Sequence, residues 1–514
     1  MKTLFKNCKV WLGKNSFTNE FGIDDSKGKI IYIKDKTPKP DFENKIDLKN
    51  KLVLPSFMDG HCHLLKASIV NSELNLRNAK TKKDFKKIFA EYKTTTEWIT
   101  GGYFSDSGIT DGFSPDVNFL DAVAPDMPVL ISRFDMHSGF ANSKAIELSG
   151  LKSKLNEFKS DEVVRDGDGN LTGELKETAL NYLLSFIPRK SIEELANNVK
   201  SEIEKLHSLG ITSVADITLP FDLDVFEVLL QKNEFNLRID SRLPFKEFQN
   251  LENYKKRFIK FNDWIKFQSF KAFYDGSLSS ETAYFHKNYV NRNHNGLRME
   301  IINSGEFEEI GFEIDKSDYQ MSVHAIGDKS VTELLDFNEQ LISKNGNKDR
   351  RFRIEHAQHI QDKDLKRFKE LNVIASVQPA HLFSDAKTAS QKVEDLKTTH
   401  RYKQLIDEGA NVCYGTDFPI VDENPFETIY FAMTRKAEGF DKGFLPEYNI
   451  SLDDCIKCYT EENAYASYNE NNFGTIEVGK SADFIILDDL FQMNADEIRT
   501  AKVEQTYLKG KKIN

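Results

Sequence analysis

"PSFMDGHCHLL", Pro55 to Leu65, ends an apolar run in Asp-Gly and then sets His61 and His63 one residue apart. In a β-strand, residues i and i+2 face the same side, so both imidazoles project together. Two neutral imidazoles aimed at one point make half of a metal site. With 11 His among 514 residues, such a pair is not a matter of abundance. Whether it marks a site depends on what else in the chain reaches the same point.

Around this stretch the chain alternates short, apolar, β-branched segments with amphipathic ones. The candidate strands are "KLVLPSFMDG", "GITSVADIT", "NLRIDSRLP", "KFQSFKAFYDG", "YQMSVHAIGD", "RFRIEHAQ", "NVIASVQPA" and "NVCYGTDFP". Segments such as "EELANNVKSEIEKLHSLG" and "DLKRFKELN" carry helical periodicity between them. Eight strands with intervening helices are what a parallel (β/α)8 TIM barrel requires, so the fold class is α/β. The spacing is tight except from about residue 64 to 209. That gap is too long for a bare loop and must hold an insertion after strand one. It contains an apolar strand of its own, "MPVLISRF".

In such a barrel the active site lies at the C-terminal ends of the strands. His61 and His63 end strand one, Lys271 sits late in strand four, and His324, His356 and Asp417 end strands five, six and eight. A lone histidine in an apolar strand is more often a core residue, and a lone lysine is usually solvated. Six such residues at the same end of assigned strands point to a shared centre, and nitrogen with carboxylate donors suits Zn²⁺ or a similar ion. Asp275 and His381 lie just beyond strands four and seven and face the same mouth, as candidate substrate contacts; Asp216 closes strand two similarly. In the inserted stretch, "DMHSGFANS" places His137 beside Ser138 and Gly139, a loop able to hydrogen-bond a substrate carbonyl. Glu355 is expected to point away from its neighbour His356, into the barrel–helix layer, and Cys62 away from its flanking histidines. Cys455 and Cys458 form one C-x-x-C in a helical context with no second pair nearby, which reads as packing.

Composition narrows the partners. Hydrophobic residues make 39% and charged residues 29% of the chain, as in soluble globular proteins. A net charge of −11 argues against nucleic acid or an anionic membrane as the main partner. No apolar stretch approaches the ~20 residues of a membrane span. "MKTLFKNCKVWLGKN" is broken by lysines too early for a signal-peptide core, and five cysteines make no disulfide framework. The cytoplasm is the expected compartment, and a homodimer the expected assembly if the chain associates.

Both ends read differently from the middle. "LFKNCKVWL", "KGKIIYIKD" and "KIDLKNKLVLP" near the start resemble "GTIEVGKSADFIILDD" and "VEQTYLKGKKI" near the end, β-branched runs bounded by Gly, Lys and Asp. Because termini often lie close together, residues 1–53 and 471–514 are expected to form one small β-sandwich flanking a barrel at 54–470.

The order H-x-H, Lys, His, His, Asp resembles the amidohydrolase superfamily of metal-dependent hydrolases. "RFDMHSGFANSKA", "VVRDGDGNLTGELKETA", "FYDGSLSSETA", "VHAIGDKSV", "RIEHAQ", "SVQPAHLFSDA", "GTDFPIVDENPFETIYFAMTR" and "GTIEVGKSADFIILD" are similar to blocks of the branch that contains N-substituted formamide deformylases. They run from about residue 50 to the C-terminus. The resemblance implies a (β/α)8 barrel with a composite β-sandwich. It implies that His61 and His63 bind the more buried divalent metal, with Zn²⁺ the first expectation and Mn²⁺ or Fe²⁺ sharing such ligands. His324 and His356 would bind a more exposed ion. Asp417 would hold the nucleophilic water as general base in hydrolysis of an amide or N-formyl C–N bond by metal-activated hydroxide. In related enzymes a lysine at the position of Lys271 forms a carbamate that bridges two metals; left as an ammonium, it implies a one-metal site. A lyase, an isomerase or a non-amide hydrolase on the same barrel is the alternative reading.

Overall fold

Pro55 ends one strand and Phe57 begins another, so the run from Lys51 to Gly60 is not the single strand its apolar pattern suggests. Proline offers no N–H to continue a ladder. At Ser56 the chain changes sheets, its N–H donating to the Asp483 carbonyl at 3.2 Å. The computed structural model describes residues 1–514 except 95, 105, 134–136 and 160, and at 107 the backbone alone. Two compact units emerge: Met1–Leu64 with Ile203–Asn514, and Leu65–Glu202.

The first unit contains the barrel. Its strands are β1 Phe57–Cys62, β2 Ile211–Asp216, β3 Arg238–Pro244, β4 Ile265–Phe273, β5 Gln320–Ala325, β6 Arg353–His356, β7 Ile374–Val377 and β8 Val412–Tyr414. They form one sheet in sequence order, each paired in parallel with the next. Six lie within the segments expected from the sequence; β1 runs two residues past its segment to Cys62, and β4 begins one residue before its own at Ile265.

The sheet comes close to closing between β1 and β8 through a few specific groups. Past the end of β8, Asp417 N–H donates to the His61 carbonyl at 2.7 Å, and His63 N–H to that of Phe418 at 2.9 Å. The Asp59 carboxylate accepts from the Thr416 hydroxyl at 2.6 Å and from its N–H at 3.1 Å. Lower down, Asn463 spans the seam, its amide donating to the carbonyls of Met58 at 2.6 Å and Tyr414 at 2.8 Å. Backbones this near leave no room for side chains. A Cβ on Gly415 would stand 2.4 Å from the His61 nitrogen.

Inside the barrel the alternation of strand residues produces a charged core. Asp240 and Arg242 from β3, Ser322 from β5, Arg353 and Glu355 from β6 and Ser376 from β7 are all buried. Arg353 donates to Glu355 at 2.8 Å, to Ser376 at 2.8 Å and across the seam to the Gly60 carbonyl at 2.8 Å. Arg242 is matched by Asp240 at 2.8 Å. Buried charges persist only when paired and hydrogen-bonded in this way.

Strands from both ends of the chain join in one further sheet of this unit. Its order is Lys511–Lys512, Val503–Leu508, Phe484–Leu487, Leu52–Pro55, Lys2–Trp11, Phe17–Asp24, Lys29–Ile33, with Asn44–Asp47 beside Lys2–Trp11. Phe5, Phe21, Phe484 and Tyr507 stack at its core. The strand Phe17–Asp24 lies outside the expected segments, because "FTNEFGID" interrupts its apolar positions with polar ones.

The second unit builds its own sheet, ordered Val163–Arg165, Leu171–Lys176, Ser138–Ala141, Val129–Arg133, Ile99–Phe104, Leu74–Asn75. The expected strand "MPVLISRF" is present as Val129–Arg133; Phe134 lies outside the described residues, as do Asp135 and Met136 of the block around His137. Among the described residues, no helix is long and apolar enough to cross a membrane.

Candidate metal centre at the barrel mouth

His356 and Asp417 reach the mouth by leaving extended geometry. Both adopt left-handed backbone angles, φ 71° and φ 60°. Without that turn, strict alternation would send His356 outward, since Glu355 beside it points in. Non-glycine residues pay for such angles, and they cluster where function fixes a side chain.

Glu355 therefore corrects the reading from alternation. It lies inside the barrel, not in the barrel–helix layer, and its Oε2 is 2.5 Å from His61 Nδ1. Arg353 and Ser322 donate to its other oxygen. Burial opposes ionisation of Glu355, but Arg353, His61 and Arg242 outweigh it and hold the carboxyl well below its usual range. An ionised acceptor at Nδ1 places the His61 proton there and turns the Nε2 lone pair to the mouth.

Four expected ligands meet there. His61, His356 and Asp417 each offer a ligand atom within 4.8 Å of the others. His63 Nε2 stands 3.2 Å and His61 Nε2 3.6 Å from Asp417 Oδ1. His324 is adjacent, its ring centroid 4.5 Å from that of His356, with Nε2 at 3.0 Å from the Gly276 carbonyl. Lys271 is buried, with Nζ 4.9 Å over the Phe273 ring. Burial, opposed by Glu355 and Asp417, lowers its pKa to about 8.

The predicted substrate contacts separate. His381 belongs to the cluster, its ring 6.1 Å from His356 and its Nε2 3.2 Å from the Thr416 carbonyl. Asp275 is corrected: its carboxylate is fully buried and accepts from the N–H groups of Tyr284 (2.9 Å), Ile326 (3.0 Å) and Gly327 (2.8 Å) and from Ser330 Oγ (2.8 Å). It organises the loops after β4 and β5, with Oδ2 taking three of these bonds and Oδ1 lying 3.6 Å from His324 Nε2. Asp216 is likewise consumed, by Leu64 N–H and Thr218 Oγ1 at 2.7 Å each. His137 lies in the other compact unit, exposed, 3.3 Å from Glu177. Cys455 and Cys458 are buried on one helix, as expected of packing residues.

A sequence profile described as the amidohydrolase family matches residues 45–513. The chain belongs to the amidohydrolase family. Among its relatives are protein LONG AFTER FAR-RED 3 of Arabidopsis thaliana, 28% identical over 91% of this chain and 83% of that protein, and the N-substituted formamide deformylase of Arthrobacter pascens, 23% identical over 92% and 90%. An uncharacterised metal-dependent hydrolase from Pyrococcus horikoshii OT3 superposes with a TM-score of 0.75 at 26% identity, covering 97% of this chain and 99% of that one.

The donor set of this amidohydrolase fits a divalent cation. Asp417 Oδ1, His356 Nδ1 and Lys271 Nζ are buried without a hydrogen-bond partner, which a polar atom inside a protein rarely tolerates. Burial, aided by the Lys271 charge, lowers the pKa of His61 to about 4 and of His324 to about 3, so both imidazoles are neutral donors. Burial opposes ionisation of Asp417 too, yet its contacts with His61 and with His63 Nε2 at 3.2 Å favour the carboxylate and hold it far below its usual range. Neutral imidazoles around an ionised carboxylate are the protonation states that metal ligation needs.

Proposed function

We propose that this amidohydrolase hydrolyses a carbon–nitrogen bond, of amide or N-formyl type and other than a peptide bond, in a small molecule, with Asp417 as general base. The observation that carries the reading is Asp417 Oδ1, buried, unpartnered and facing both His61 and His63. The name of the Arthrobacter relative, an N-substituted formamide deformylase, supports the bond type.

His61, His63 and Asp417 would hold the more buried divalent ion, with Zn²⁺ expected first, and His324 and His356 a more exposed one. Such an ion supplies Lewis acidity and makes hydroxide available near neutral pH. Asp417 then accepts the water proton and returns it to the leaving amine. Its backbone N–H bond to His61 keeps the carboxylate fixed while it does so. Glu355 holds the His61 tautomer, and His381 contributes a polar contact to the substrate. A neutral Lys271 amine can add CO₂ to give a carbamate and a proton, which would supply ligands for a second ion.

The rest of the molecule fits around this chemistry. The terminal strands act as a β-sandwich module at 1–53 and 471–514 beside a barrel at 54–470. The stretch 64–209 is an insertion after strand one. The enzyme works in the cytoplasm on a small-molecule substrate, its acidity disfavouring nucleic acid and membranes, and a homodimer is the expected assembly.

The test is incubation of Zn²⁺- or Mn²⁺-loaded protein with a panel of N-formyl and N-acyl amines in H₂¹⁸O. Free amine and an acid carrying one ¹⁸O are expected. Products formed without water would replace this reading with a lyase or isomerase.

A further inference from the structure

The loops after β6 and β7 and the segment leading into β8 build a second polar cluster next to the metal centre. His400 N–H donates to the Gln358 carbonyl at 2.6 Å and Ile360 N–H to that of Thr398 at 2.9 Å, which ties the first and third segments together. After β7 the chain runs through the turn Pro379–His381 into the helix Leu382–Lys392. His381 and Asp385 are thus one turn apart on the same face. The Asp385 carboxylate lies 4.0 Å from His400 Nε2, and Gln358 Nε2 is buried without a hydrogen-bond partner. Tyr402, its ring 5.3 Å from His400, reaches the His356 carbonyl at 3.4 Å and so joins the cluster to the metal centre.

This cluster has more hydrogen-bonding capacity than partners. The His400 ring is 1% exposed, yet neither of its nitrogens has a hydrogen-bond partner. Gln378 Oε1, at the end of β7, is buried and unpartnered as well. Asp385 keeps 23% of its side chain exposed. Among the described residues, no lysine or arginine stands within ion-pair distance of it. Burial pushes its carboxyl up to about 6 despite His381. Desolvated polar groups left open in this way are what a recognition site shows before its ligand completes it.

We propose that Asp385 is a specificity residue that receives an N–H or ammonium group at the far end of the substrate, with His400 and Gln378 completing the contacts. This rests on the hydrolase reading above and narrows it. The substrates would be amides carrying a second nitrogen donor. Amides ending in a carboxylate, such as N-acyl amino acids, are disfavoured by like charge against a partly desolvated carboxylate.

Three probes of equal length separate the classes: N-formyl-1,4-diaminobutane, N-formylpentylamine and N-formyl-5-aminopentanoate. With metal-loaded wild type, kcat/KM for the diamine derivative should exceed that of the pentyl compound by about tenfold or more, the worth of one charge-assisted hydrogen bond. The carboxylate compound should come last. Asp385→Asn should compress the first ratio, and Asp385→Glu should retain its direction. Equal rates for the three probes overturn the proposal. So does an Asp385→Asn defect that falls equally on all three, which would make Asp385 a positioning residue for His381. Calorimetric binding of 1,4-diaminobutane gives a readout independent of turnover. Binding weakened about tenfold in Asp385→Asn upholds the assignment; equal or undetectable binding in both proteins overturns it. Cleavage of none of the probes would count against the hydrolase reading alone, and the calorimetry would still judge Asp385.

Discussion

Glu355 Oε2 stands 2.5 Å from His61 Nδ1, inside the barrel and behind the candidate metal centre. The contact links the charged core to the first histidine of the H-x-H pair: Arg353 and Arg242 hold Glu355, and Glu355 holds His61. Replacing it by Ala leaves two buried guanidinium groups short of a partner and frees the His61 ring. Metal affinity should fall by roughly 10–100-fold, the usual effect of losing a hydrogen-bond partner of a ligand. Chelator competition reads this directly, and affinity equal to wild type would remove Glu355 from the account.

Asp417→Asn keeps the shape of the side chain and the backbone bond to the His61 carbonyl but loses the base. The expected result is a fall in kcat of about 10²–10⁴-fold with a much smaller change in KM. Steady-state kinetics on any turned-over amide checks it. A change confined to KM would mean that Asp417 binds substrate without taking its proton.

Asn463→Ala tests the seam. The substitution leaves the Met58 and Tyr414 carbonyls without their donor in a buried junction. A loss of about 2–6 kcal/mol is expected, at about 1–3 for each of the two buried groups left unsatisfied. Urea unfolding monitored by circular dichroism measures it. A loss below about 0.5 kcal/mol, the scale of a surface substitution, would show that β1 and β8 hold together without this side chain.

Asp275→Ala should act on stability before specificity. Removing the carboxylate strands three backbone donors and a hydroxyl. The unfolding midpoint should drop strongly, by the same reasoning as for Asn463. If stability held and only KM rose, Asp275 would return to the list of substrate contacts.

Stability should also depend on pH through histidines outside the site. Burial lowers the pKa of His207 to about 4 and of His359 to about 3, against ~6.5 in an unfolded chain. Between those values the unfolded state binds more protons. Their contribution is therefore intact above about pH 6.5 and lost as pH falls toward 4, at up to about 1.4 kcal/mol per unit for each residue. Urea titrations at pH 7, 6 and 5 should show the decline. A flat profile in wild type, or no flattening in His207→Gln, would contradict it.

The barrel was legible because its strands are short, β-branched and separated by helical periodicity, and because His61, His324 and Asp417 each sit where such a strand runs out. Period-two alternation then failed at one place, β6, where His356 leaves the extended region and Glu355 stays inside. A backbone angle of that sign has no signature in "RIEHAQ". The charges did carry one: Arg353 and Glu355, like Asp240 and Arg242, stand two apart in apolar strands and must face the same interior. Asp275 misled for a different reason. Position beyond a strand end places a residue near the mouth but does not say whether its carboxylate is already taken by nearby N–H groups. Asn463 lies on a helix far along the chain, and only the folded seam reveals its task.

If His61, His356 and Asp417 form a metal centre, elemental mass spectrometry of protein purified without chelators, with bicarbonate present, will detect the ion. One to two divalent metal ions per chain are expected in wild type, two if Lys271 is carboxylated, with a clear loss in a folded His61→Ala, His356→Ala double variant. Wild type that binds no metal under any loading condition, or a double variant that retains the full complement, would contradict it.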